Sequence, residues 1–165
     1  MPAFFEGVFM SIIILTLILV ALDQLVKYWA FTKLSVLGTI PIIDTVFHLT
    51  YVENRGAAFS ILQNQRWLFL ILTPLIVAAI IFVLYKKRIY SKIGRIGLYL
   101  VLAGALGNLI DRIWHGFVVD LFDFRLIHFP VFNVADIYVV CGVVLFFYYY
   151  LIQHEKLEKA AKGNE

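Results

Sequence analysis

Residues 96–114 read IGLYLVLAGALGNLIDRIW, with no charged side chain before Asp111. A helix of this length rises about 28 Å at roughly 1.5 Å per residue, close to the thickness of a hydrocarbon core. The run therefore predicts a transmembrane helix, and its polar residues indicate how that helix is used. Gly104, Asn108, Asp111 and Arg112 fall at i, i+4, i+7 and i+8, a single stripe on an otherwise apolar cylinder. Such a stripe must face protein or water rather than lipid. Ala103, Ala105 and Gly107 beside Gly104 let another helix approach closely.

Working outward, comparable runs extend from about Val8 to Leu22, from Trp67 to Tyr85 and from Val134 to Ile152. The first continues its helical pattern through Asp23 and Lys27 to about Trp29. The expected architecture is an all-α membrane bundle of four transmembrane helices, over about 8–29, 67–85, 96–114 and 134–152, in one domain covering 1–165. Pro74 interrupts the second span without ending it, which lipid-embedded helices tolerate when neighbours satisfy the freed carbonyl. Composition agrees: 62% of residues are hydrophobic and 15% charged, against about a quarter charged in soluble proteins. Met1 to Gly7 holds Glu6 and no Lys or Arg, so the first run reads as a retained span rather than a cleaved leader.

Fourteen Lys and Arg against eleven Asp and Glu give only a mildly basic chain, which disfavours nucleic-acid binding. One cysteine, Cys141, permits neither an internal disulfide nor a thiolate metal cluster. It lies five residues beyond Asp136 with no histidine beside it, so a core-packing role is expected and a thiol mechanism is disfavoured. The segment from Lys86 to Arg95 carries five basic residues and no acid, which assigns it to the cytoplasmic side. Lys156, Lys159 and Lys162 place both termini there too, with residues 30–66 and 115–133 on the outer face.

The first outer loop exceeds a simple connection. Residues 45–52, TVFHLTYV, are β-branched and aromatic, and Asn54-Arg55-Gly56 is a turn signal. A small β element on the bilayer surface is expected, the alternative being an interfacial loop with aromatic anchors.

Ionisable residues within spans are costly, about 2.5 to 3.5 kcal/mol each at mid-membrane by insertion scales, so each needs a reason. Asp23 and Lys27, at i and i+4, share a helix face and can form a structural ion pair, with Lys27 able to snorkel outward. A catalytic Asp23 is the competing reading. Asp111 beside Arg112 can be a buried charge pair fixing the loop, and the Arg112 donor fork can clamp an extended peptide. Asp120 and Asp136 stand at opposite ends of the second outer loop, and two converging carboxylates share a proton, supplying one acid and one base. The plainer alternatives are a loop charge at Asp120 and a helix-start acid at Asp136. Acidic pairs in membranes also serve proton transport.

Five blocks in order carry a family resemblance: Asp23-Gln24-x-x-Lys27, Asn54-x-Gly56-x-Ala58-Phe59, Gly107-Asn108-x-x-Asp111-Arg112, Val118-Val119-Asp120 and Phe132-Asn133-x-Ala135-Asp136. Across essentially the whole chain the sequence resembles the lipoprotein signal peptidases, the type II signal peptidases of bacteria. The resemblance implies an intramembrane aspartic endopeptidase of the cytoplasmic membrane, with Asp120 and Asp136 as its dyad near the outer surface. It implies a diacylglyceryl-modified prolipoprotein as substrate, cut on the amino side of the lipidated cysteine, and no metal or organic cofactor. A monomer among membrane lipids, with no nucleic-acid partner, is expected. Asp23, Lys27, Asn54, Gly56, Asn108, Asp111, Arg112, Asn133 and Ala135 are implied to order the dyad or bind substrate. The sheet becomes a cradle beside the groove, and residues 115–133 include a segment able to cover it. Departures are small: Ala103-Gly104-Ala105 replaces adjacent glycines, and Asp123 adds an acid close to Asp120.

Two other classes compete. A proton-coupled transporter or channel predicts acids spread through the membrane depth, whereas these cluster toward one face. A non-catalytic assembly protein explains the glycines but not the converging aspartates.

Overall fold

The computed structural model describes residues 2–56, 61–86, 89 and 91–153, with side chains described from residue 10 onward except 11 and 12. Ala58 and Phe59 of the quoted block, the basic residues Lys87 and Arg88, and the lysines beyond residue 153 lie outside the described residues.

Helix α1 (Pro2–Trp29) runs on through a π-helical turn, Ala30–Leu34, into the short α2 (Ser35–Leu37). Strands β1 (Thr39–Ile43) and β2 (Phe47–Asn54) follow, then α3 (Arg66–Tyr85), α4 (Lys92–Trp114), β3 (Val118–Phe124), a 3-10 turn at Arg125–Ile127, and α5 (Val134–Tyr148) with a π-helical end at Tyr149–Gln153. Among the described residues four helices are long and apolar enough to cross a membrane: Ile13–Leu37, Arg66–Tyr85, Lys92–Trp114 and Val134–Gln153. The expected count of four therefore stands. The first helix reaches further than its apolar run suggested because Ala30 and Leu34 pack against the sheet.

Helix α4 is the hub, touching α1, α3 and α5. Its small residues make this possible. A Cβ on Gly97 would lie 2.8 Å from Gly142 O and from Phe146 N of α5, and one on Gly104 would run into Ala135 O. Backbone thus meets backbone along the α4–α5 seam, where dispersion contacts replace the hydrophobic drive that lipid cannot supply. Ser91 caps α4 by accepting from Ile93 N at 3.1 Å. Helix α3, which carries Pro74, is peripheral, with Ile80 its one buried residue.

The three strands form an antiparallel sheet in the order β1-β2-β3. The first loop supplies only two of them; the third, Val118–Phe124, comes from the connection between α4 and α5, with Val52 opposite Asp120 and Asn54 opposite Val118. The β element is therefore not confined to the first loop. The cause is tertiary: Ala30, Leu34, Phe117, Val119 and Leu121 make one core cluster that fixes the sheet against the α1 extension and nearly fully buries Val119 and Leu121. On its other side Val118, also nearly fully buried, lines a cavity.

Candidate active site

A polar layer lies where α1 meets α4. Lys27 Nζ stands 3.1 Å from Asp23 Oδ2 and 3.1 Å from Asp111 Oδ2, and donates to Asn108 Oδ1 at 2.8 Å. Gln24 Nε2 donates to Asp111 Oδ1 at 3.0 Å and to Gly107 O at 3.2 Å. Asp23, Lys27 and Asp111 are almost wholly buried. Lys27 therefore does not snorkel, and the charge partner of Asp111 is Lys27 rather than Arg112. Both departures share one cause: α4 approaches so closely that a Cβ on Gly107 would collide with the Asp23 carboxylate. That approach seals the lysine between two acids.

This layer reaches the second aspartate through backbone and amides. Asp23 Oδ1 accepts from Ala135 N at 2.9 Å, which fixes the first turn of α5. Asn108, oriented by the lysine on its oxygen, donates from Nδ2 to Asp136 Oδ1 at 2.8 Å. Asn133 is the N-cap of α5 in a capping box: its Oδ1 accepts from Asp136 N at 3.0 Å, and its own N donates to Asp136 Oδ2 at 3.1 Å. The remaining Asn133 amide group donates to Asp120 Oδ1 at 2.6 Å. One buried asparagine thus joins both carboxylates.

Asp120 is held from the sheet side as well. Asn54 Nδ2 donates to Asp120 Oδ2 at 2.9 Å, while Asn54 Oδ1 accepts from Gly56 N at 2.9 Å, the turn expected at 54–56. Val119 N donates to Asp111 Oδ2 at 3.1 Å, anchoring β3 to α4. Burial, then the neighbouring Asp136 charge, pushes the Asp120 carboxyl up to about 7; the bonds from Asn133 and Asn54 and the charge of Lys27 pull the other way. Asp120 therefore takes up a proton as the pH falls through about 7.

Arg112 donates to Gly56 O at 2.8 Å and Asn108 O at 3.2 Å, and its guanidinium lies 4.3 Å from the centre of the Phe69 ring. Part of its fork is occupied by the turn at Gly56. Asp123 is separate: despite partial burial, bonds from Arg125 and Thr50 hold its carboxyl below the usual carboxylate range. It is not part of the aspartate pair's bond network.

Both aspartates open on a cavity of about 690 Å³ whose walls include Val52, Phe129, Phe132, Ile137 and Val140. Cys141 is exposed and lines this cavity too, so it is not the core residue its sequence position suggested. The helical spacing from Asp136 to Val140 and Cys141 carries both onto the cavity side of α5. Gln24 and Phe69 were absent from the expected site. Gln24 was legible as the neighbour of Asp23, whereas nothing local to Phe69 points to Arg112. Among the described residues no group of three or more His, Cys, Asp or Glu is placed to hold a metal ion.

Every expected site residue with a described position joins one connected set. Asp23, Asp111, Asp120 and Asp136 gather at one end of the bundle, contrary to the distribution through depth that a transporter would need. A buried Asp120 and a half-buried Asp136 beside an apolar cavity, on a frame of membrane helices, suit the acid–base chemistry of an aspartic peptidase. The sequence profile described as signal peptidase (SPase) II matches residues 15–152, and the chain belongs to that family. It is 49% identical over 147 residues to the lipoprotein signal peptidase of Clostridioides difficile, covering 89% of this chain and 99% of that one. It is also 49% identical over 144 residues to the lipoprotein signal peptidase of Halothermothrix orenii, covering 87% and 97%. A solved bacterial membrane enzyme at 2.3 Å superposes with a TM-score of 0.79 at 33% identity, over 86% of this chain and 87% of that one.

Proposed function

We propose that this chain removes signal peptides from diacylglyceryl-modified prolipoproteins by cutting on the amino side of the lipidated cysteine, with Asp120 and Asp136 as one acid–base pair. The observation that carries this reading is the Asn133 bridge, which ties both carboxylates together beside an apolar cavity. The names of the relatives supply the substrate class, and the apolar walls suit a lipid-modified chain.

In the proposed reaction one ionised aspartate takes a proton from water as the oxygen attacks the scissile carbonyl carbon. The protonated partner donates to the carbonyl oxygen, giving a tetrahedral gem-diol. Collapse breaks the C–N bond and the pair returns a proton to the leaving amine. Both amide donors to Asp120 are oriented by backbone N–H groups on their oxygens, at Gly56 and at Asp136. Neither can flip cheaply to accept from it, so a proton on Asp120 occupies a lone pair left free by these bonds. Arg112 positions the Gly56 turn beside the cavity.

The whole chain is proposed to act as one monomeric unit in the bacterial cytoplasmic membrane. Both termini and the Lys86–Arg95 segment face the cytoplasm, and the aspartates lie near the outer face. The decisive assay incubates purified protein with a precursor bearing the diacylglyceryl group and with the same precursor lacking it. Cleavage of the lipidated form alone supports the reading; equal cleavage of both, or of neither, overturns it.

A further inference from the structure

The peptide group between Phe132 and Asn133 touches both halves of the aspartate pair. Its oxygen accepts from Leu121 N at 3.0 Å and from Phe122 N at 2.8 Å, the two residues that directly follow Asp120 in β3. Its N–H, on Asn133, donates to Asp136 Oδ2 at 3.1 Å. One planar unit therefore spans from the strand that carries the first aspartate to the carboxylate of the second. Two successive donors on a single carbonyl are the pattern of a β-bulge, a device that re-aims neighbouring side chains, and this bulge begins one residue beyond Asp120. The Asn133 side chain closes the ring by donating to Asp120 Oδ1 at 2.6 Å.

The backbone pairing there is short. Phe122 and Phe132 form an isolated antiparallel bridge outside the three strands. Phe132 N donates to Phe122 O at 3.2 Å, and Pro130, two residues earlier, has no N–H with which to extend the pairing. The Phe132 side chain supplies the rest of the hold. Its ring centre lies 5.5 Å from that of Phe122, 6.0 Å from that of Phe124 at an interplanar angle of 5°, and 5.6 Å from that of Phe129 at 87°. Aromatic pairs are favourable in such stacked and edge-to-face arrangements. Phe47 packs in turn on Phe122 and Phe124, so the sheet backs the ring, which also walls the cavity.

We propose that Phe132 is a positioning residue for the cleavage: held in the aromatic stack, its ring fixes the 132–133 peptide and so sets where Asp120 and Asp136 stand relative to each other. This rests on the assignment of those two carboxylates as the acid–base pair. A displaced peptide draws the Asn133 amide off Asp120, and a misplacement of about 1 Å can cost a reaction on the order of 100-fold. The charges that act on Asp120, at Asp136, Lys27 and Arg112, are not removed by a change at 132. The Asn133 bond favours the ionised form of Asp120, so weakening it lets Asp120 keep its proton to higher pH.

The test compares the full parent chain with three variants on a diacylglyceryl-modified precursor, reading kcat, KM and the pH profile. Phe132→Leu removes the ring but stays apolar, and Phe132→Tyr keeps the ring. Phe124→Leu removes a stacking partner that is not among the cavity walls. Phe132→Leu should lower kcat by about tenfold or more with KM little changed, and its alkaline limb should lie above the parent's. Phe132→Tyr should stay within about twofold of the parent in kcat, and Phe124→Leu should move kcat and the limb in the same directions as Phe132→Leu by less. A rise in KM alone makes Phe132 a plain wall of the cavity and overturns the inference, as does a lower kcat with an unmoved limb or a parent-like Phe132→Leu. Where Phe132→Leu loses its helix content by circular dichroism, Phe124→Leu decides: a lower kcat with a raised limb supports the inference, and parent-like values overturn it. A parent that leaves the lipidated precursor uncut removes the acid–base assignment and this inference with it, whereas an active parent beside an indifferent Phe132→Leu removes the inference alone.

Discussion

Asp120 receives an amide donor on each carboxylate oxygen, yet its carboxyl is pushed up to about 7, because burial and the Asp136 charge outweigh those bonds and Lys27. Two predictions belong to this residue. If the pair must hold one proton, kcat/KM on a lipidated precursor falls on the alkaline side of about pH 7, where the second proton leaves; a profile flat to pH 9 would contradict the shared proton. Stability follows with a defined sign. The folded value lies above the ordinary 3.8, so the folded state binds the proton more tightly, and stability present below 3.8 is lost as pH rises toward about 7. Asp120→Asn should flatten that decline in a thermal melt, and an unchanged decline would point to another group. The same substitution and Asp136→Asn should each abolish cleavage, with the double variant scarcely worse than either single, because groups acting as a unit are non-additive. Asp123→Asn, outside the pair's network, should be mild by the same assay.

At the scale of elements, the start of α5 is fixed from three directions: the Asn133 cap, the Asp23 bond to Ala135 N, and the close α4 backbone at Gly104. A Leu at Gly104 must drive α5 away from α4, since even its Cβ would meet Ala135 O and lie 2.7 Å from Val139 Cγ2. Gly104→Leu should therefore lose most cleavage while circular dichroism reports helix content near the parent's; retained turnover would show that the seam tolerates displacement. The Asp23–Lys27–Asp111 group behaves differently. Removing its one cation in Lys27→Met leaves two buried carboxylates facing each other, a change costing about 3 to 5 kcal/mol where one partner of a buried pair is lost. Lys27→Met should lower the melting temperature far more than Asp120→Asn, and a comparable effect of the two would contradict a structural role for the lysine.

For the whole molecule, the proposed orientation predicts that, with Cys141→Ser removing the native exposed thiol, Lys92→Cys resists an impermeant thiol reagent in intact cells while Asp44→Cys, exposed in the turn between β1 and β2, reacts. The reverse pattern would invert the protein. The apolar runs set the four spans because length and hydropathy are local properties that lipid reads directly. Turn chemistry at Asn54-Arg55-Gly56 and the residues of the polar network were legible for a related reason: each is expensive or conformationally specific where it stands, so it demands a partner. Which partner answers is not a local property. The sequence neighbours Asp111 and Arg112 look paired, but α4 packing on α1 delivers Asp111 to Lys27 and leaves Arg112 to Gly56 and Phe69. Val118–Phe124 lacks a strand's alternation because both its faces are engaged, one by the α1 extension and the other by the cavity, so only assembly revealed it as the third strand. Cys141 looked internal because it lies within an apolar run, yet in a membrane apolar residues face lipid and cavities as readily as a core. The sequence by itself determined the spans and the inventory of polar groups, while the close approach of α4 to α1 and α5 decided how those groups are joined.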